Sequence, residues 1–354
     1  MVFLFILYPA FLVLQLVHWV GFLIDEVLFP GYRKMEVHAP VFITGIPRSG
    51  TTFVHRTLSR DESTFTTPRM WELLLAPSVC GRKGVRFLAA LDRLLGSPGR
   101  RLLNRVTRRI GSGLSEIHEV GLDAPEEDYL ALLPAGGCFL LALAFPASAS
   151  LWQLGRFHEL PEKRKLVLLD FYHRCLQKHL YVTGRQRRIL SKNAAFASWV
   201  TSLRGRYPEA RFLLCVREPA SALSSQLSSV SGALPLFGTH VSRELLRSRF
   251  EETCTCAYHA LRAGLQTAPE ISFAVIDQER LRKHPGEVFR SSLERIGIPI
   301  PAHLEQILEE TETRQSGYQS NHRHSPGEWN LDGAKFGSCV GPVYEEILQY
   351  APTK

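Results

Sequence analysis

The sequence predicts an α/β protein in which a central parallel sheet is covered by helices on both faces, with a hydrophobic helix ahead of it. Three observations lead there. Four short apolar runs, VFITGI at 41–46, ILSKN from 189, ARFLLCV at 210–216 and ISFAVI at 271–276, have the length and composition of buried strands. Stretches of helical length flank them at 50–60, 162–180, 199–206, 219–230, 243–264 and 278–296. Strands alternating with helices of that length imply crossover connections, hence parallel strands with ligands beyond their C-terminal ends. The third observation is a run from Val2 to Ile24 without a formal charge.

That run is long enough, at about 1.5 Å per residue, to cross a hydrocarbon core of about 30 Å. No basic residue precedes it and no small-residue cleavage site follows it, so it does not read as a signal peptide. Residues 1–28 are therefore expected to be a membrane-anchor helix, 29–40 a linker and 41–354 a single catalytic domain. Pro9, Gln15 and His18 interrupt the run and leave open a helix that lies in the interface or packs on the domain. Arg33 and Lys34 follow it, which places the domain on the cytoplasmic side of the membrane. A second apolar stretch, 129–150, contains Pro134, Gly136, Gly137 and Pro146 and reads as core or pocket lining, not as a second span.

The chain has 354 residues, 45% hydrophobic, enough for a full core. Its 42 Lys and Arg against 34 Asp and Glu give a net charge of +8, suited to nucleotides or acidic lipids. Between Arg82 and Arg109, arginines alternate with Leu and Phe, either to lie on anionic headgroups or as a solvated helix face. No nucleic-acid reader motif accompanies the charge, so nucleic acid is not expected as a partner. Seven scattered cysteines without a CxxC indicate neither a disulfide framework nor a zinc site and fit a reducing compartment.

The most informative segment is V-F-I-T-G-I-P-R-S-G-T-T, residues 41–52, a strand joined to a helix by a loop with Gly45, Pro47 and Gly50. Such a turn aims backbone N–H groups and a helix N-terminus at an anion, and Arg48 adds a planar fork of donors. The predicted fold is accordingly three-layered and P-loop-like. The glycine spacing of Gly45, Gly50, Thr51 and Thr52 is also that of a nucleoside-triphosphate loop. However, Thr51 stands where that chemistry requires Lys, and no obvious acidic strand end offers a magnesium ligand.

Pro47 to Thr52 resemble the 5′-phosphosulfate loop of the sulfotransferase superfamily, P-[KR]-S-G-T-T. The resemblance implies 3′-phosphoadenosine 5′-phosphosulfate (PAPS) as sulfuryl donor, no metal, and Arg48, Ser49, Gly50, Thr51 and Thr52 around the phosphosulfate. Arg48 would also neutralise the bridging oxygen as the S–O bond breaks. The family's second signature is a strand ending in Arg with a Ser eight residues later, and Arg217 and Ser225 match it. By that resemblance they bind the 3′-phosphate. Leu190 to Asn193 resembles the intervening Leu-Lys-x-Pro segment, but Ala194 replaces the proline, and Lys192 is assigned no catalytic role. Residues 318–332 resemble the bacterial branch's H-R-Y-S-x-E run through His322, Arg323, Ser325 and Glu328, which makes Arg323 a candidate to close over the nucleotide.

Transfer to an alcohol needs a base. The segment from His118 through Asp123 and Pro125 to Glu126 and Glu127 resembles the bacterial His-x-x-Gly-x-Asp-x-Pro-Glu-Glu segment beside the acceptor site. His118 titrates in a suitable range and is the first candidate base, Glu127 the second. The acceptor is expected to be a hydroxylated small molecule or lipid, because the site lies close to the apolar N-terminal run. Two other readings stay open: a kinase-like phosphotransferase, marked by a magnesium requirement, and an inactive membrane-surface protein of the same fold, marked by binding without turnover.

Overall fold

The structure, a computed structural model, describes residues 8–99, 101, 122–184, 187–237, 241–267, 269–315, 329 and 333–352. Five strands form one sheet: β1 (Val41–Gly45), β2 (Phe65–Thr66), β3 (Arg188–Lys192), β4 (Arg211–Val216) and β5 (Phe273–Asp277). Their order is β2-β3-β1-β4-β5, and every pairing is parallel. From β1 the chain moves to one side of the sheet and from β4 to the other. The switch therefore lies at the C-terminal ends of β1 and β4, where open α/β sheets leave a crevice.

Strand residues alternate between two cores. On one face Phe42, Phe212 and Phe273, neighbours in register, stack with ring centroids 5.3 and 4.9 Å apart. Ile43, Leu213 and Ala274 enter the other core. Both faces are buried, so the strands read as continuous apolar runs without alternation. β2 has two residues, too few to show a period. The helix expected over 278–296 is two helices, Gln278–Lys283 and Pro285–Arg295, because Pro285 disfavours helical backbone at His284. The stretch 129–150 forms short helical pieces, including Leu141–Ala144 and Ala149–Trp152, that send Leu130, Leu132, Cys138, Ala142 and Leu143 into the core and leave Phe145 exposed.

The N-terminal apolar run forms helix α1 (Tyr8–Leu28), the one helix among the described residues long and apolar enough to cross a membrane. It is docked on the domain. Asp25, fully buried, accepts hydrogen bonds from the backbone N–H groups of Val79 and Cys80, each at 2.8 Å, and pairs with Lys178 Nζ at 2.8 Å. Residues 29–40 are packed too: Tyr32 is buried under the Lys178 ammonium, and Gln177 Nε2 donates to the carbonyls of Arg33 and Met35.

Candidate active site

The loop after β1 is shaped by backbone that side chains resist. Gly45 has φ 139°, and a Cβ there would lie 1.9 Å from the Cys215 carbonyl oxygen. Gly50, with φ 92°, caps helix α2 (Thr51–Leu58). Arg48 itself has φ 67°, a left-handed conformation that costs a non-glycine residue about 1–3 kcal/mol and persists only where the surroundings impose it. The surroundings include Ser49, fully buried, whose Oγ donates to the carbonyls of Ile46 and Cys215. The Ser49 hydroxyl thus holds the loop to β4, and Ser49 has only its backbone N–H left to offer an anion.

Arg217 closes β4, and Glu218 caps the following helix, α3 (Pro219–Ala233), by accepting from the N–H groups of Ala220 and Ser221. Those bonds hold the Glu218 carboxyl below its ordinary pKa despite burial. Arg217 Nη1 donates to the Arg48 carbonyl at 3.2 Å, and Arg48 Nε donates to Ser225 Oγ at 3.2 Å. Burial lowers the pKa of both guanidiniums, and for Arg217 the Arg48 charge adds to it. Two guanidiniums held side by side at a switch point, Arg217 partly buried and Arg48 exposed, are able to receive a polyanion. Buried Tyr258 donates to the Arg217 carbonyl and fixes the strand end from below.

On the other side of β1, Lys192 ends β3, two residues short of the level of Gly45. Its side chain is buried and ion-paired with Glu127. Glu127 is thereby brought to the loop's end of the sheet. Sequence reasoning gave Lys192 no part here because the neighbouring proline is missing, yet its place at a strand end was a usable signal. Beside this pair, Asp128 is buried and accepts from Tyr172 Oη, and Tyr172 also hydrogen-bonds Ser191. Burial pushes the Asp128 carboxyl up to about 7. His55, one turn along α2 and not singled out by the sequence, hydrogen-bonds Thr67, and burial pushes its imidazole down to about 3, so it stays neutral. Among the described residues, the buried Asn193 Nδ2 has no hydrogen-bond partner.

A cavity of about 700 Å³ opens along the β2 edge, lined among others by Arg56, Arg69, Arg86, Arg187 and Trp71. Asp123 and Pro125, from the segment that runs into Glu127, line it as well. His118 and Arg323 lie outside the described residues, as do His322, Ser325 and Glu328. Trp329, from the same C-terminal segment, is described: its Nε1 donates to Ser228 Oγ at 2.9 Å, three residues along α3 from Ser225. Trp199 is core, stacked on Phe157 at 3.6 Å.

Compared with known proteins, the sequence profile described as "Sulfotransferase family" matches residues 40–302. The chain belongs to the sulfotransferase family. Among solved structures, this sulfotransferase is similar to sulfotransferase STF1 from Mycobacterium tuberculosis H37Rv, at 16% identity and a TM-score of 0.71, over 95% of this chain and 86% of that one. It is also similar to sulfotransferase STF9 from Mycobacterium avium, at 16% identity and a TM-score of 0.69, over 92% and 80% of the two chains. At such identity these likenesses concern the fold. No curated protein matches the sequence.

Proposed function

We propose that this sulfotransferase uses PAPS as donor and transfers its sulfuryl group in line to a hydroxyl of a hydrophobic or lipid-like acceptor, held at the cytoplasmic face of a membrane by α1. The observation that carries the donor assignment is the convergence of Arg48, from the loop after β1, with Arg217 and Ser225, from the β4–α3 segment, at the crevice between β1 and β4. The residues fit the group: the loop runs through Gly50 straight into the N-terminus of α2, and it is flanked by two guanidiniums.

When bound, PAPS supplies a sulfuryl group already attached to a phosphate leaving group. The N–H groups of the loop and the first turn of α2, with the hydroxyls of Thr51 and Thr52, hold the 5′ end, and Arg48 offsets the charge that grows on the leaving oxygen. Arg217 and Ser225 hold the 3′-phosphate, which fixes the donor's register. Arg323 closes over the nucleotide. His118 takes the acceptor's proton, with Glu127 as the second candidate; the buried Lys192 ammonium orients that carboxylate. An acceptor drawn from a membrane agrees with the exposed apolar face of α1.

The test is a titration of detergent-solubilised protein with adenosine 3′,5′-bisphosphate and, separately, with ADP plus magnesium, for wild type and Arg217→Ala. Preferential binding of the bisphosphate, weakened in the variant, supports the donor assignment. Equal or better binding of ADP, unchanged by the variant, overturns it. Turnover on lipid extracts but not on small soluble alcohols then supports the acceptor class, and the reverse pattern rejects it.

A further inference from the structure

We propose that α1 lies in the plane of a membrane leaflet, and that it forms one docking face for anionic lipid headgroups together with a second helix, Val79–Leu94. This deepens the membrane attachment proposed above and rests on it.

α1 touches the domain from end to end. Tyr8 meets Phe145 with ring centroids 5.7 Å apart, Trp19 Nε1 donates to the Pro134 carbonyl at 3.1 Å, and Phe22 packs edge-on to Phe171 at 5.6 Å. At the C-terminal end Asp25 binds Val79, Cys80 and Lys178. These contacts run along a helix of 21 residues, about 31 Å at its rise per residue. A helix held to its domain over that length cannot cross a hydrocarbon core without drawing the domain's carbonyls and the Asp25–Lys178 pair into it. The residues turned to the domain, His18, Gly21, Phe22 and Asp25, form one stripe; Val13, Leu16, Val17, Val20, Ile24 and Val27 form another, exposed and uncharged.

The helix Val79–Leu94 is fixed to α1 because Asp25 caps its first N–H groups. Past Arg82 it leaves the core. Phe87 and Leu88 are 64% and 62% exposed, and with Leu91 and Leu94 they follow helical spacing along one side. Exposed Lys83, Arg86 and Arg93 flank that side, against a single acid, Asp92. An apolar stripe bordered by cations suits an anionic leaflet, whose acyl boundary takes the stripe and whose headgroups take the charges. Arg86 also lines the cavity at the β2 edge and pairs there with Glu72. The cavity therefore opens at the level of the headgroups, and an acceptor can reach it without leaving the leaflet.

The test adds the full-length protein, carrying a peptide tag at its N-terminus, to preformed vesicles of phosphatidylcholine with and without phosphatidylglycerol. Flotation should show binding about tenfold stronger to the anionic vesicles, and about tenfold weaker binding for Phe87→Asp/Leu88→Asp. Bisphosphate binding by that variant should equal wild type, which shows that it folds. Protease added outside should remove the tag. A tag protected inside the vesicle while the domain stays outside overturns the in-plane placement and leaves the attachment standing. Wild-type binding by the double variant, or equal binding to both vesicles, removes the second helix from the face. No binding to any vesicle, with a stable dimer in its place, overturns the attachment itself and assigns the face to a second copy.

Discussion

Arg48 Nε donates to Ser225 Oγ across 3.2 Å, joining residues 177 positions apart. Since the Arg48 carbonyl also accepts from Arg217, the loop after β1 and the end of β4 form one unit, and a change at either reaches both.

Ser225→Ala removes one neutral donor and should weaken bisphosphate binding by about 0.5–1.5 kcal/mol, whereas Arg217→Ala removes a charged one and should cost about 1.5–3 kcal/mol. Because both residues also contact Arg48, the double variant should lose less than the sum. Calorimetric titration of the four proteins measures the coupling, and strict additivity would count against a shared unit.

Gly45→Ala places a methyl group where the Cys215 carbonyl oxygen stands, so β1 and β4 must separate. A fall in melting temperature with loss of bisphosphate binding is expected. Gly232→Ala is the control: it lies in α3 with open space around it and should gain up to about 1 kcal/mol from helix propensity.

Asp25→Ala leaves the buried Lys178 ammonium only the longer contact to Glu26, at 3.8 Å, and uncaps Val79 and Cys80. Breaking one side of a buried pair costs about 3–5 kcal/mol, and replacing both sides by apolar groups is far milder. Denaturant unfolding should show Asp25→Ala strongly destabilised and Asp25→Ala/Lys178→Met partly restored.

Asp128 has its pKa raised by burial from 3.8 to about 7, so the folded state holds a proton that the unfolded state releases. Its effect on stability is absent below pH 4 and grows as an increasing penalty as pH rises to 7, reaching roughly 4 kcal/mol. Asp128→Asn should flatten that part of the stability–pH curve. An unchanged slope between pH 4 and 7 would assign the dependence to other groups.

His118→Ala should lower turnover by about 100-fold or more with bisphosphate binding retained. Glu127→Gln leaves Lys192 without its anion, and Glu127→Gln/Lys192→Met separates the roles. Recovery of turnover in the double variant marks Glu127 as a positioning residue, and continued loss marks it as a base.

The strands and the loop were legible because they are local: a buried parallel strand is an apolar run, and Gly45 and Gly50 stand where only glycine fits without strain. What was not legible depends on distant partners. The two residues of β2 become a strand only by pairing with β3. The motif names Ser49 but does not say that its hydroxyl turns inward to Cys215. Asp25 reads as a charge flanking an apolar run; that it is buried follows from Val79 and Lys178, which no local window contains.

The order of synthesis gives that last contact another meaning. α1 leaves the ribosome well before its partners, and Lys178 follows Asp25 by 153 residues. At about 5–20 residues per second, the greasy helix waits roughly 8–30 s for the groove that receives it. Throughout that interval a chaperone or an apolar surface has to shelter it, so the exposure of α1 is set by the rate of translation and not by its own stability.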